Sequence, residues 1–146
     1  MLAVGLMSGT SFDGIDAAIV ETDGDRSVRP ISFHFESYKP EFVNSLRAIL
    51  GRKNRNADVD EVERNLTLLH AKAVEKLLAK SDVSADAVDI IGFHGHTIRH
   101  EPHEHFTWQI GDGALLSKRV GIDVVSDFRS ADVANGGEGA PFAPIF

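Results

Sequence analysis

The most constraining feature of this sequence is its opening, where three short apolar runs are separated by two turns. The runs cover residues 2–7, 14–22 and 28–38, and the intervening turns are rich in Gly, Ser, Thr and Asp. Such closely spaced runs predict a three-stranded antiparallel meander. In the third run, Ile31 and Phe33 alternate with polar residues, and this period of two predicts a strand with its apolar face buried.

Helical periodicity follows the meander. Residues 41–50 carry apolar side chains at helical spacing, and Gly51 then favours a stop. A longer helix is predicted over residues 58–80, with Asp58 and Glu61 in an arrangement that resembles a capping box. Its apolar stripe indicates core packing and consists of Val59, Val62, Leu66, Leu69, Ala73 and Leu77.

The remaining chain alternates strands with one more helix. A buried strand over residues 88–93 precedes a polar, histidine-rich stretch and a short strand over residues 106–110. A helix is then predicted between Asp112 as its cap and Gly121 as its stop, followed by a strand over residues 122–126. Three antiparallel strands extended by helix-connected strands resemble the α/β, ribonuclease-H-like half of the actin, hexokinase and Hsp70 phosphotransferases.

Composition excludes several classes of function. A chain of 146 residues with a net charge of −7 is the size of one domain and lacks the basic character needed for nucleic acid or anionic membranes. Because there is no cysteine, disulfides and thiolate chemistry are excluded, and a reducing cytoplasm is compatible. The apolar residues 1–7 lack a basic leader and are too few for a membrane span, so we interpret them as a buried strand.

The first turn has the chemistry of a phosphate-binding loop. Residues 7–16 read Met-Ser-Gly-Thr-Ser-Phe-Asp-Gly-Ile-Asp, which combines a glycine with three hydroxyl side chains. Exposed amides and hydroxyls of this kind bind phosphate, although the pattern is neither a Walker loop nor a dinucleotide fingerprint. A solvated hairpin turn is the alternative. Asp13 and Asp16 would repel phosphate, so we expect one or both to face Mg²⁺ or water.

A second cluster contains five of the seven histidines within twelve residues. They are His94, His96, His100, His103 and His105. Neutral imidazoles bind zinc or iron, so a metallohydrolase is a rival hypothesis, but the spacing matches no known ligand signature. Solvated loop histidines and hydrogen-bonding partners of sugar hydroxyls are the favoured interpretations.

A third cluster follows the last predicted strand. Asp127 stands at the carboxyl end of that strand, where it can serve as the base for an attacking oxygen. Arg129 is placed to pair with a substrate carboxylate, or to form a structural salt bridge with Asp127 or Asp132, which is the commoner role for this pattern.

Together these motifs resemble the N-terminal portion of the anhydro-N-acetylmuramic acid kinases. The resemblance covers the whole chain and rests on Gly5–Ser11 with Asp13–Asp16, His94–Gly95 with Thr97, Thr107 with Gln109–Gly111, Asp127–Arg129 with Asp132, and Gly136–Pro141. It implies an enzyme that uses ATP, Mg²⁺ and water to open the 1,6-anhydro ring of an amino sugar and phosphorylate O6, in cytoplasmic peptidoglycan recycling.

The resemblance also implies roles for individual residues. Asp127 is expected to activate the attacking water. The ATP phosphates are expected at Ser8, Gly9, Thr10, Ser11, Asp13 and Asp16, with Mg²⁺ held through ATP and by Asp13 rather than by a protein-only cluster. The sugar is expected at His94, His96, Thr97, Gln109, Arg129 and Asp132. His96 and Glu138 stand where the family usually has Gln, so contacts there are expected to be rearranged.

The family resemblance further implies a two-lobed enzyme. Residues 1–146 are expected to form the N-terminal lobe, and a similar-sized C-terminal lobe, absent from this chain, would complete the adenine pocket. We therefore expect the 146-residue chain alone to show no turnover. A relative acting on another anhydrosugar, such as levoglucosan, is the nearest alternative, and a homodimer is among the assemblies that the resemblance allows.

Overall fold

A computed structural model describes residues 1–140, and the predicted turn residue Pro141 and the apolar residues 142–146 lie outside the described part. The strands are β1 Leu2–Ser8, β2 Gly14–Thr22, β3 Val28–Ser37, β4 Ile90–Glu101, β5 Phe106–Ile110 and β6 Val124–Ser126. The helices are α1 Pro40–Ala48, α2 Ala57–Ser81, α3 Gly113–Val120 and α4 Ser130–Ala134, with short 3-10 turns at Ala85–Ala87 and Pro102–Glu104.

All six strands join one sheet in the order β3-β2-β1-β4-β5, with β6 also paired to β4. The strands β1, β2 and β3 are antiparallel neighbours. Strand β4, which follows α1 and α2, is parallel to β1, and β6, which follows α3, is parallel to the first half of β4. This topology confirms the predicted ribonuclease-H-like half, in which three antiparallel strands are extended by helix-connected ones.

Strand β4 is longer than predicted. We expected the strand to end near Phe93 and the histidines to occupy a loop, but β4 continues to Glu101. Its second half pairs antiparallel with β5, so the histidine-rich segment is one arm of a hairpin. The prediction of solvated loop histidines was therefore wrong for this segment, because the backbone groups that sequence reasoning left to solvent are paired with β5.

The helix caps were predicted in part. Asp112 caps α3 as expected, its side chain accepting from the Leu115 amide at 2.9 Å, and Gly121 ends that helix with φ 73°. The predicted cap of α2 was wrong, since the helix begins at Ala57 and the side chain of Asn56 accepts from the Val59 amide at 3.0 Å. Asparagine is as good a cap as aspartate, so propensity alone could not separate the two.

The covered face of β3 is the reverse of the prediction. Phe33 and Phe35 are 52% and 42% exposed, while the alternate side chains of β3 face α2. The amine of Lys76 on α2 binds Glu36 Oε1 at 2.9 Å. The core lies on the face of the sheet opposite to Phe33 and Phe35. It fills the space between that face and α1–α3, around Val4, Leu6, Ile15, Ile91 and Phe93. Within residues 1–140, no helix has both the length and the apolar character required to cross a membrane.

Candidate functional site

Three adjacent parallel strands bring the predicted functional segments to one edge of the sheet. In the pairing register Leu6 lies beside Phe93, and Phe93 lies beside Ser126. The loop after β1, His94 in β4 and Asp127 after β6 therefore follow at the same end of neighbouring strands. Open sheets bind their ligands at the carboxyl ends of parallel strands, so this edge is the candidate site.

The loop between β1 and β2 is a tight, polar turn. The Phe12 amide donates to the Gly9 carbonyl at 3.3 Å, and Phe12 has φ 60°. Thr10, Ser11 and Asp13 are exposed, as is Asp16 at the start of β2. The loop therefore presents hydroxyls and carboxylates to solvent beside the strand end.

Asp13 is the most strongly constrained carboxylate in this loop. Its side chain accepts from the Ser11 hydroxyl and from the Gly14 amide at 3.0 Å. The Ser11 hydrogen bond, followed by backbone amides, holds the pKa of Asp13 below its usual value, so the carboxylate is ionised. An ionised carboxylate beside hydroxyls suits a cation better than a bare phosphate.

Gly14 closes the loop against β3. A Cβ at this position would lie 2.2 Å from the Glu36 carbonyl oxygen and 2.7 Å from the Phe35 ring, so only glycine fits. The Tyr38 amide at the end of β3 donates to the Asp13 carbonyl at 3.0 Å. Contacts with β3 therefore hold the loop in place at the point where it enters β2.

Ser8 and His96 turn away from solvent. The Ser8 hydroxyl lies 2.6 Å from the Tyr38 hydroxyl and 2.9 Å from His96 Nδ1, and both Ser8 and His96 are buried. Their expected contacts with phosphate and sugar are therefore not available to these side chains directly. Tyr38 was not identified from the sequence, since nothing in its local pattern distinguishes it from the end of a strand.

A bulge at Gly95 separates the two neighbouring histidines. Gly95 has φ 71°, and the pairing of β1 with β4 shifts between Leu6 and Ser8. A Cβ on Gly95 would lie 2.3 Å from the Ile110 carbonyl oxygen, so the bulge requires glycine. The bulge places His96 beside Ser8 in the interior, whereas His94 remains partly exposed.

His94 is held neutral at the site. Burial lowers its pKa, the Gly95 carbonyl acts in the opposite direction, and the nearby charge of Arg129 lowers the pKa further. Its Nδ1 lies 3.1 Å from the Gly95 carbonyl oxygen, so Nδ1 carries the proton. Nε2 is a buried acceptor with no partner among residues 1–140.

A polar ladder runs along the β4–β5 hairpin. Gln109 Nε2 donates to Thr107 Oγ1 at 2.7 Å and to Thr97 Oγ1 at 3.2 Å, and Thr107 also bonds to His100 Nδ1 at 2.9 Å. Gln109 Oε1 is buried and has no partner in the described part of the chain. The ladder therefore offers an acceptor of the kind that binds a sugar hydroxyl.

Asp127 lies in a strained turn directly after β6. It adopts φ 60°, which is uncommon for a residue other than glycine, and its carboxylate accepts a hydrogen bond from Ser130 at the start of α4. The side chain remains exposed. The turn thus directs an oriented carboxylate to solvent at the strand end.

Arg129 and Asp132 have separate environments. Asp132 Oδ2 accepts from the Gly139 amide at 2.7 Å, so its carboxylate supports the glycine-rich turn over residues 136–139. Arg129 forms no ion pair within residues 1–140, and its Nε is buried without a partner there. The structural salt bridge favoured by the sequence pattern is therefore not formed in the described part of the chain.

The same turn brings Arg129 beside the polar ladder. A Cβ at Gly139 would lie 3.3 Å from Arg129 Cβ and 3.5 Å from His100 Cε1. The unpartnered atoms of His94, Gln109 and Arg129 thus belong to neighbouring segments at one end of the sheet. The buried, unpaired polar atoms in this region are a signal for a polar ligand.

The histidines do not converge on a metal site with other side chains of residues 1–140. Among residues 1–140 no three His, Cys, Asp or Glu side chains converge so as to hold a metal ion. His100 is bonded to Thr107, and His105 Nδ1 lies 3.2 Å from the Val133 carbonyl oxygen. The metallohydrolase hypothesis therefore has no geometric support in the described residues.

Comparison with known proteins gives one consistent result. The family model described as anhydro-N-acetylmuramic acid kinase matches residues 1–146. The anhydro-N-acetylmuramic acid kinases of Paramagnetospirillum magneticum and Rhizorhabdus wittichii are 52% and 49% identical to this chain, and each match covers 100% of it. That of Agrobacterium fabrum is 46% identical over 99% of the chain. The matches cover 40%, 42% and 40% of these relatives, so the chain spans about two-fifths of their length.

Proposed function

Because the chain belongs to the anhydro-N-acetylmuramic acid kinase family, we propose that it is the N-terminal portion of an ATP-dependent anhydrosugar kinase. The observation that carries the proposal is the common strand edge shared by the loop after β1, His94 and Asp127. A hydroxyl-rich loop beside an oriented carboxylate is what phosphoryl transfer to a sugar oxygen requires.

The proposed reaction joins hydrolysis to phosphoryl transfer. Asp127 takes a proton from water while the water oxygen forms a bond to the anomeric carbon, and the bond from that carbon to O6 breaks. The freed O6 then bonds to the γ-phosphorus of ATP, and ADP leaves. The hydrogen bond from Ser130 orients the Asp127 carboxylate for its role as base.

The loop after β1 meets the phosphates in this proposal. Gly9, Thr10 and Ser11 would supply amides and hydroxyls, the ionised Asp13 would face the metal, and the exposed Asp16 would be a second candidate carboxylate for it. When bound, Mg²⁺ would neutralise phosphate charge. Asp13 fits that ion because its carboxylate is exposed and is kept ionised by Ser11 and Gly14.

The residues proposed to bind the sugar favour an acidic amino sugar over levoglucosan. Arg129 is a cation without an ion pair in residues 1–140, and it would pair with the carboxylate that muramic acid carries and levoglucosan lacks. His94 Nε2 and Gln109 Oε1 accept sugar hydroxyls, and Thr97 holds Gln109 in place. Asp132 acts through the glycine-rich turn that it supports.

The test is an assay of the full-length protein with ATP, Mg²⁺ and either 1,6-anhydro-N-acetylmuramic acid or levoglucosan. We expect the muramic acid derivative to give the higher kcat/KM, with a product that has gained one water and one phosphoryl group. A product that gains phosphate without water, or a preference for levoglucosan, would contradict the proposal.

We propose cytoplasmic peptidoglycan recycling as the setting, which is what membership of the anhydro-N-acetylmuramic acid kinase family implies. The remaining part of the family's length would supply a second lobe and the adenine pocket. We therefore expect residues 1–146, purified alone, to show no turnover in the same assay. Turnover by that chain would contradict the two-lobed arrangement but not the choice of substrate.

A further inference from the structure

Three buried polar groups form a chain beneath the loop that follows β1. The Ser8 hydroxyl links the Tyr38 hydroxyl, at 2.6 Å, to His96 Nδ1, at 2.9 Å. The relative exposure of Ser8 is 1% and that of His96 is 0%. The proposed mechanism does not use this imidazole, although it lies directly under the loop assigned to phosphate.

The same imidazole also packs against the tip of the loop. The rings of Phe12 and His96 are tilted to each other with centroids 5.2 Å apart. Phe12 has φ 60°, a conformation that local sterics disfavour, so contacts from elsewhere must maintain it. His96 therefore touches the loop at its first residue, through Ser8, and at its tip, through Phe12.

The hydrogen bonds of this chain can run in either of two directions. If Tyr38 donates to Ser8 and Ser8 donates to His96 Nδ1, both hydroxyl protons are used. In the reverse direction the Tyr38 proton has no acceptor among residues 1–140, whereas in the first direction the proton on His96 Nε2 has none there. The first arrangement requires a neutral His96 that accepts at Nδ1.

The surroundings keep this imidazole neutral. Burial, and then the neighbouring His94, lower the pKa of His96 to about 4, while the Ser8 backbone acts in the opposite direction with the smallest effect. His70 from α2 is close enough for its charge to act on that of His96. Its neighbours Ser8 and Phe12 contact two further titratable or charged groups, the Tyr38 hydroxyl and the guanidinium of Arg47 from α1. Burial raises the pKa of the Tyr38 phenol, the Ser8 hydrogen bond acts in the opposite direction, and the nearby charge of Asp13 raises the pKa further.

We propose that His96 is a positioning residue for nucleotide binding, because it holds the loop over residues 8–13 in shape through Ser8 and Phe12. This inference rests on the proposed function, which assigns the ATP phosphates to that loop. His96 acts on the loop and touches neither nucleotide nor sugar. The side-chain amide of Gln can also hydrogen-bond with Ser8, so His96→Gln is the conservative variant.

The kinetic test compares His96→Leu with His96→Gln in the full-length protein. We expect His96→Leu to raise KM for ATP about tenfold and to leave KM for the sugar nearly unchanged, because the buried Ser8 hydroxyl loses a hydrogen-bond partner. His96→Gln should remain close to the wild type. His103→Gln, at an exposed histidine of the same hairpin, is the matched control and should have no effect. Equal effects of His96→Leu on both KM values would overturn the inference.

A second measurement does not depend on activity. Amide hydrogen exchange at Phe12, without nucleotide, should be about tenfold faster in His96→Leu than in the wild type, while exchange in α3 stays unchanged. Unchanged exchange at Phe12 would overturn the inference. If His96→Leu does not fold, Tyr38→Phe provides the test, because it removes one hydroxyl from the chain and should also speed exchange at Phe12. A wild-type protein without kinase activity would contradict the proposed function but leave the exchange test of His96 intact.

Discussion

Asp127 and Arg129 are two residues apart and are expected to have different tasks. Asp127 is exposed, oriented by Ser130 and held at a positive φ of 60°. Arg129 is half-buried, and burial lowers its pKa, yet no carboxylate of residues 1–140 pairs with it. Strained backbone and unpaired buried charge both cost stability, and both occur here at the proposed reaction centre.

Replacing Asp127 by Asn should abolish the base while keeping the shape of the side chain. In the full-length protein we expect kcat to fall by about a thousandfold, with KM for ATP nearly unchanged, because general base catalysis contributes on that order. Steady-state kinetics with the anhydrosugar will measure this. Asp123→Asn is the control, because Asp123 is an exposed carboxylate at the other end of β6. A similar loss of kcat there would contradict the role of Asp127 as the base.

Replacing Arg129 by Met should act on substrate choice. We expect KM for the carboxylate-bearing sugar to rise about tenfold or more, with little change for levoglucosan, because a bidentate arginine–carboxylate pair is lost only in the first case. The two sugars are compared in one assay, so a general loss of stability would affect both. Equal losses for both sugars would show that Arg129 does not bind the carboxylate.

Among the secondary-structure elements, the β4–β5 hairpin has the largest consequence for the site. The bulge at Gly95 lets one strand supply His94 to the sheet edge and His96 to the interior. It also permits the hairpin to carry the Thr97–Gln109–Thr107 ladder. A regular strand would have kept the alternation of faces, and His94 and His96 would have shared one face.

Gly95→Ala tests the bulge directly. We expect the free energy of unfolding to fall by more than the roughly 1 kcal/mol typical of alanine at positive φ, because the new Cβ would overlap the Ile110 carbonyl. Gly121→Ala is the matched control, because Gly121 has φ 73° and a Cβ added there would meet no atom within 4 Å. Urea unfolding of both variants gives the difference, and equal losses would show that the Ile110 contact is unimportant.

For the folded chain as a unit, buried histidines make stability depend on pH. Burial is the largest cause that lowers the pKa of His70 and of His96 to about 4 each, against 6.5 for an unperturbed histidine. As pH falls below 6.5, these two histidines become protonated in the unfolded chain while they stay neutral in the native chain. Stability is therefore fully present above pH 6.5 and declines as pH falls toward 4.

The slope of stability with pH can be measured by urea unfolding between pH 7 and pH 5. We expect the wild type to lose stability with a slope of about two protons, and His96→Gln to lose about one proton of that slope. The carboxylates titrate mainly below this window. His103→Gln serves again as the exposed control, and an unchanged slope in His96→Gln would contradict a neutral, buried His96.

Local patterns in the sequence were enough to predict most of the secondary-structure elements. The apolar run over residues 14–22, helical spacing before Gly51 and the cap at Asp112 each depend on neighbours in the chain, and each prediction was confirmed. The strand that ends before Asp127 was also predicted, and with it the edge of the sheet where that carboxylate lies. These features follow from backbone geometry, which repeats over a few residues.

Long-range packing settled what those patterns left open. Periodicity divides β3 into two faces, but the position of α2 makes the face with Phe33 and Phe35 the exposed one. The bulge at Gly95 sends His96 inward to Ser8, 88 residues away in sequence, and Ser8 in turn bonds to Tyr38. Burial and pairing of a side chain depend on which distant segments reach it, and that information is absent from any short stretch of sequence.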